Sequence, residues 1–192
     1  MGKEKNQMKT LNILFAIIIF FSIVLCAQDD DVKKLPGYFD FGNLESLDQG
    51  EEGTEVFIEE YLLKMVAKLS SKEDKELADL LNGLKLVKVN TLEVTKKNEK
   101  EIKNRINSMQ SSLKNNNWER IVRIREKGED MSVYLKTDKN SKINGLVVAG
   151  VEGDGNAIFV NIVGDIDLET IGKLSDKFDI PSLSEIHKNK KD

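Results

Sequence analysis

Between Trp118 and Val163 the apolar residues fall mostly on alternate positions. Such period-two alternation predicts strands with a buried face. Trp118 to Glu126 sets Trp118, Val122 and Ile124 against Ile121, Arg123 and Arg125. Met131, Val133 and Leu135 alternate with Ser132, Tyr134 and Lys136, which predicts one wet face. Ile143 to Val151 is more continuously apolar and predicts a central strand covered on both sides. Ala157 to Val163 places Ile158, Val160 and Ile162 opposite Phe159, Asn161 and Val163. The connectors 127–130, 138–141 and 152–156 are short and rich in turn formers, so neighbouring strands run antiparallel and form a four-stranded meander. The period then changes. Leu168, Ile171, Leu174 and Phe178 recur at spacings of three and four, which predicts a helix with one apolar stripe. Asp165 or Asp167 is placed to cap its first amides, and Ile180-Pro181 ends it. The apolar face of the meander is the nearest surface for that stripe.

Upstream the pattern is mixed. Thr54 to Glu59 alternates Val56 and Ile58 with Phe57 and predicts a strand. Leu62, Met65, Val66 and Leu69 make one helical face. Ser70-Ser-Lys-Glu73 has the form of a capping box for a second helix burying Leu77, Leu80 and Leu81, closed by Gly83. Leu84 to Leu92 reads as a strand. Lys97 to Leu113 reads as the longest helix, striped by Ile102, Ile106, Met109 and Leu113 and ended by Asn115-Asn-Asn117. The order predicts an α+β fold, a largely antiparallel sheet with a C-terminal four-stranded meander and helices packed on one face.

Leu11 to Ala27 is almost wholly apolar behind Lys3, Lys5 and Lys9, the pattern of a secretory signal peptide. Two other readings stay open. One is an uncleaved membrane anchor formed by residues 11–27; the other is a lipoprotein acylated at Cys26, although Leu25 stands where a lipobox needs a small residue. All three carry the rest of the chain out of the cytoplasm, to the periplasm or beyond, with membrane contact only through the N-terminal segment. The expected organisation is therefore 1–27 signal peptide or anchor, 28–53 acidic lead-in, 54–183 a single α+β domain and 184–192 a charged tail. The lead-in holds Tyr38, Phe39 and Phe41 among glycines and Pro36, more aromatic content than a disordered linker needs. Those three rings either dock on their own domain, the favoured reading, or form the one candidate partner-binding segment.

The formal charge of −4 becomes −6 beyond residue 27, from 26 basic against 32 acidic residues. A mildly acidic domain argues against nucleic acid as a partner. Cys26 is the only cysteine, so there is no intramolecular disulfide and no thiolate metal site.

Three stretches resemble the family known as domain of unknown function 4252, found in small exported bacterial proteins. They are Pro36-Gly-Tyr-Phe-Asp-Phe-Gly-Asn-Leu44, Leu62 to Ala67, and Asn161 to Ser175, a strand ending in Gly-Asp-Ile-Asp-Leu. The resemblance spans roughly Val32 to Leu183 and implies export and one domain. It implies no activity, since none is assigned to the family.

Candidate chemistry is sparse. His187 is the only histidine, so a triad or histidine-rich zinc site is excluded. Gly150 to Asn156 lacks the helix a phosphate loop requires and the ligand spacing of an EF-hand, and reads as a hairpin turn. Asp154 and Asp165 lie at opposite ends of one strand, roughly 30 Å apart at ~3.3 Å per residue, too far to act as a pair. No nucleophile elbow, P-loop or dinucleotide fingerprint is present. No catalytic residue, metal site or cofactor is expected. The expected function is a non-catalytic exported binding or protein-interaction domain whose partner is an envelope protein or a small ligand. The alternatives are a small-ligand or lipid carrier with an apolar cavity between sheet and helices, and a hydrolase without a recognisable motif.

Overall fold

Six strands, all paired antiparallel, form one sheet in the order β1-β2-β6-β5-β4-β3. They are β1 (Gly53–Glu59), β2 (Leu84–Glu93), β3 (Glu119–Glu126), β4 (Glu129–Thr137), β5 (Ile143–Val151) and β6 (Asn156–Ile166). Helices α1 (Glu60–Ser70) and α2 (Lys75–Gly83) join β1 to β2, and α3 (Glu99–Asn115) joins β2 to β3. The computed structural model describes residues 31–48 and 53–167. The apolar run 11–27, the predicted helix from Leu168 to Phe178, Cys26 and His187 lie outside the described residues. The chain divides at Pro36. Of the first unit, residues 31–35 are described, with Lys34 paired to Asp31. All that follows concerns the second unit.

The α+β class, the antiparallel sheet and the meander are as the sequence predicts. The helices, however, lie on both faces of the sheet and not on one. Ile102, Ile106, Met109 and Leu113 of α3 pack with Tyr134, Val147, Ala149 and Phe159. Leu63 of α1 belongs to a second cluster with Val133, Leu146 and Val148, against which the partly buried Leu80 and Leu81 of α2 pack. Adjacent β5 residues point to opposite faces, so these clusters sit on the two sides of the sheet. The reason is compositional. β4 and β5 carry apolar side chains at both parities, and each face needs a cover. The wet face predicted for β4 is corrected accordingly: Met131 to Leu135 are all buried, with Ser132 and Tyr134 beneath the α3 side.

Trp118 is not on the side of Val122, as strict alternation predicts. The register slips between Arg120 and Val122, leaving Ile121 as an extra residue. Trp118 therefore joins the α3 cluster, while Val122 joins the other. The cap of α2 also differs from expectation. Asp74, not Ser70, accepts from the Leu77 amide at 3.1 Å, because α1 runs on to Ser70 and the connecting turn uses Ser71 to Glu73. Asp165 lies within β6, paired with Lys142 at 3.6 Å, and so is not a helix cap.

Candidate functional site

Phe39 and Phe41 of the lead-in are buried in the α3-side cluster, together with Leu44 and Leu47, and Tyr38 is half-buried. The Phe41 ring lies 5.8 Å from Phe39 and 5.9 Å from Phe159, and Phe39 meets Trp118 edge-on at 6.1 Å. Buried Asn161 stitches the segment to the sheet. Its Oδ1 accepts from the Phe39 amide at 2.9 Å, and its Nδ2 donates to Gly37 O at 3.0 Å and Leu146 O at 3.2 Å. Glycine is required where the segment crosses β5: a Cβ on Gly37 would collide with the Asn144 carbonyl, and one on Gly145 would lie 2.6 Å from Gly37 Cα. Arg105 Nη1 donates to Phe41 O at 2.6 Å, and Lys88 Nζ sits 5.7 Å above the Phe41 ring. Asn98, also buried, ties the end of the segment down by donating to Leu47 O at 3.0 Å and Glu93 O at 2.9 Å. These contacts commit Phe39 and Phe41 to their own domain.

Five of the seven large apolar side chains exposed among the described residues are on α1. Its helical face of Leu62, Met65, Val66 and Leu69 looks outward, and Tyr61 extends it. The exposures are 75% for Tyr61, 47% for Leu62, 42% for Met65, 47% for Val66 and 77% for Leu69. At about 100° per residue these five side chains form one continuous arc. The face pressed inward is narrower and smaller, Leu63 and Ala67, both almost fully buried. The charged side chains Glu60, Lys64 and Lys68 share the remaining flank. Glu60 binds Lys64 at 2.5 Å and Lys85 at 2.6 Å, and those two hydrogen bonds hold its carboxyl below the usual glutamate value. Periodicity found four of the five outward residues and missed Tyr61. It could not say which arc faces water, because the inward arc needs only Leu63 and Ala67 and leaves the larger arc outside.

A polar groove runs along α3 where the helix leaves β3 and β4 uncovered. Its first part, of about 580 Å³, is lined by Asn107, Gln110, Ser111, Lys114, Trp118, Arg120 and Tyr134. Its second part, of about 510 Å³, shares Asn107 and Gln110 and reaches Arg123, Arg125 and Asp130. There Asp130 pairs with Arg123 at 3.3 Å and Arg125 at 3.6 Å. Beyond the hairpin, burial first and then Asp154 and Glu129 push the Glu152 carboxyl above the ordinary glutamate value. Nothing in the spacing of the sequence announced this groove. It depends on the bulge at Ile121, which is visible only in the register.

Among the described residues no three histidine, cysteine, aspartate or glutamate side chains are grouped to hold a metal ion, and no helix is long and apolar enough to cross a membrane. The family model described as Domain of unknown function (DUF4252) matches residues 47–174. The chain belongs to the DUF4252 family. Most of the strands and helices described here fall inside the DUF4252 match, whereas the Pro36 to Leu44 stretch precedes it. No curated protein and no solved structure matches this DUF4252 chain.

Proposed function

We propose that this DUF4252 domain is a non-catalytic interaction domain of the cell envelope, and that the outward face of α1 receives a short amphipathic helix of a partner protein. The observation that carries the reading is the arc from Tyr61 to Leu69, five large apolar side chains left in water by a well-formed helix. Residues at spacings of three and four are the anchors by which one helix reads another. Size narrows the choice of occupant. At roughly 150 Å² for each fully exposed side chain, the arc offers roughly 400 Å², about half of the ~800 Å² per partner that a stable protein dimer buries. A single helix fits that area, and a second copy of the domain does not. A lipid surface is disfavoured by the mixed signs beside the arc, where Glu60 stands between Lys64 and Lys85.

The test compares the wild-type chain with the Leu62→Gln/Leu69→Gln variant, both produced in the native host and isolated after chemical cross-linking. The variant should melt like the wild type, because both positions are exposed. It should lose a stoichiometric partner that the wild type retains. Equal recovery of that partner by both proteins overturns the reading. Loss of a self-adduct, or of vesicle binding, assigns the face to a second copy or to lipid instead.

A further inference from the structure

The α3–β3 groove is built differently from the α1 arc. Its floor is Trp118 and Tyr134, with relative exposures of 6% and 3%. Buried tryptophan and tyrosine normally place their N–H and O–H on a partner. Among the described residues neither the Trp118 indole N–H nor the Tyr134 hydroxyl has a hydrogen-bond partner, and neither polar atom is sealed from solvent. Both residues line the groove. Above them stand the side-chain amides of Asn107 and Gln110 and the cations Lys114 and Arg120. Among the described residues these four side chains also lack a partner. No carboxylate lines this part of the groove. Three of the six groups (the indole, the ammonium and the guanidinium) can only donate. The groove therefore presents a surplus of donors and two positive charges over an aromatic floor.

We infer that this part of the groove is a binding site for a small polar ligand bearing an oxyanion, a carboxylate or a phosphate. Arg120 offers a planar fork that matches either group, and Lys114 adds a second charge from the last turn of α3. Asn107 and Gln110 can both donate and accept, which suits hydroxyls beside the anion. The volume of about 580 Å³ lies in the range of small-ligand sites. The sequence builds the site through two local devices. The Trp118 amide donates to Leu113 O at 3.0 Å, turning the chain sharply beneath the end of α3. The bulge at Ile121 then leaves Trp118 and Arg120 on the side of the helix.

Trp118 is the only tryptophan in the chain, so its fluorescence reads the site directly. The experiment titrates the full chain with glucuronate, as the carboxylate arm, and with inorganic phosphate, as the phosphate arm. A saturable change in Trp118 emission is expected with one of them, weakening as salt is raised. Lys114→Gln/Arg120→Gln should weaken that binding at least tenfold, while Lys139→Gln, in an exposed turn, should not change it. Tyr134→Phe separates binding from folding. Its hydroxyl bonds to none of the described residues, so the variant should melt like the wild type yet bind more weakly. Whichever arm saturates names the anion. A flat response to both, or binding unchanged in Lys114→Gln/Arg120→Gln, overturns the inference.

Discussion

Replacing Phe41 by alanine tests whether the segment from Pro36 to Asp48 is structural. Phe41 is 1% exposed and packs against Phe39 and Phe159. Removing a buried phenylalanine side chain costs about 3–5 kcal/mol, from lost transfer free energy and the cavity left behind. The surroundings here favour the upper half of that range. The ring has two aromatic neighbours and carries Lys88 above its face, and its backbone is fixed by Arg105, so the site has little freedom to collapse. For a domain of this size each kcal/mol lowers the melting temperature by about 2–4 °C. A fall of about 8–20 °C is therefore expected. A thermal melt measures that fall, and urea denaturation followed in parallel by far-ultraviolet circular dichroism and by Trp118 fluorescence measures the free-energy loss, since Trp118 lies against Phe39. The two probes should report one transition, shifted to lower urea with unchanged slope. A loss below about 1 kcal/mol would refute the argument that this segment is part of the core.

Three smaller predictions follow from single contacts. Asn161→Leu leaves the Phe39 amide and the Gly37 carbonyl buried without partners, at about 1–3 kcal/mol each; hydrogen exchange at the Phe39 amide should accelerate with the loss. Asp74→Ala removes the side-chain cap of α2 and should cost about 1 kcal/mol, read from chemical denaturation. Glu152 binds its proton more tightly in the folded than in the unfolded chain. The stability tied to that proton is thus complete in acid, below the ordinary value of 4.5, and is lost as pH rises through the raised folded value. Glu152→Gln should accordingly be more stable than the wild type at neutral pH, with the difference disappearing on acidification; a variant less stable at neutral pH would contradict the sign.

Much of the fold was legible because it follows from period and punctuation. The stripe of α3 was read residue by residue, and so were the two faces of β6, because nothing interrupts either repeat. What escaped the sequence depended on events that a period does not record. One extra residue at Ile121 turned Trp118 to the opposite face. Two residues, Leu63 and Ala67, sufficed to seat α1, so its broader apolar arc was left outside. The core of β6 also lies on the less regular face. Phe159, Asn161 and Val163 are fully buried, whereas Ile158, Val160 and Ile162 are half-buried. An aspartate at Val160 should therefore be tolerated better than one at Phe159. The polar knots at Asn98 and Asn161 join segments 51 and more than 120 residues apart, a separation that no local pattern reports.

The most direct test of the interaction reading is site-specific photo-cross-linking in the native host from Met65, at the centre of the outward arc of α1. A photo-reactive amino acid at position 65 should yield one major adduct with a different protein. The linked peptide should carry apolar residues at spacings of three and four, and the adduct should vanish when Leu62 and Leu69 are also changed to glutamine. The same amino acid at Lys139, in an exposed turn on another element, should not yield it. Adducts only with a second copy of the chain, only with lipid, or none at all would contradict the account.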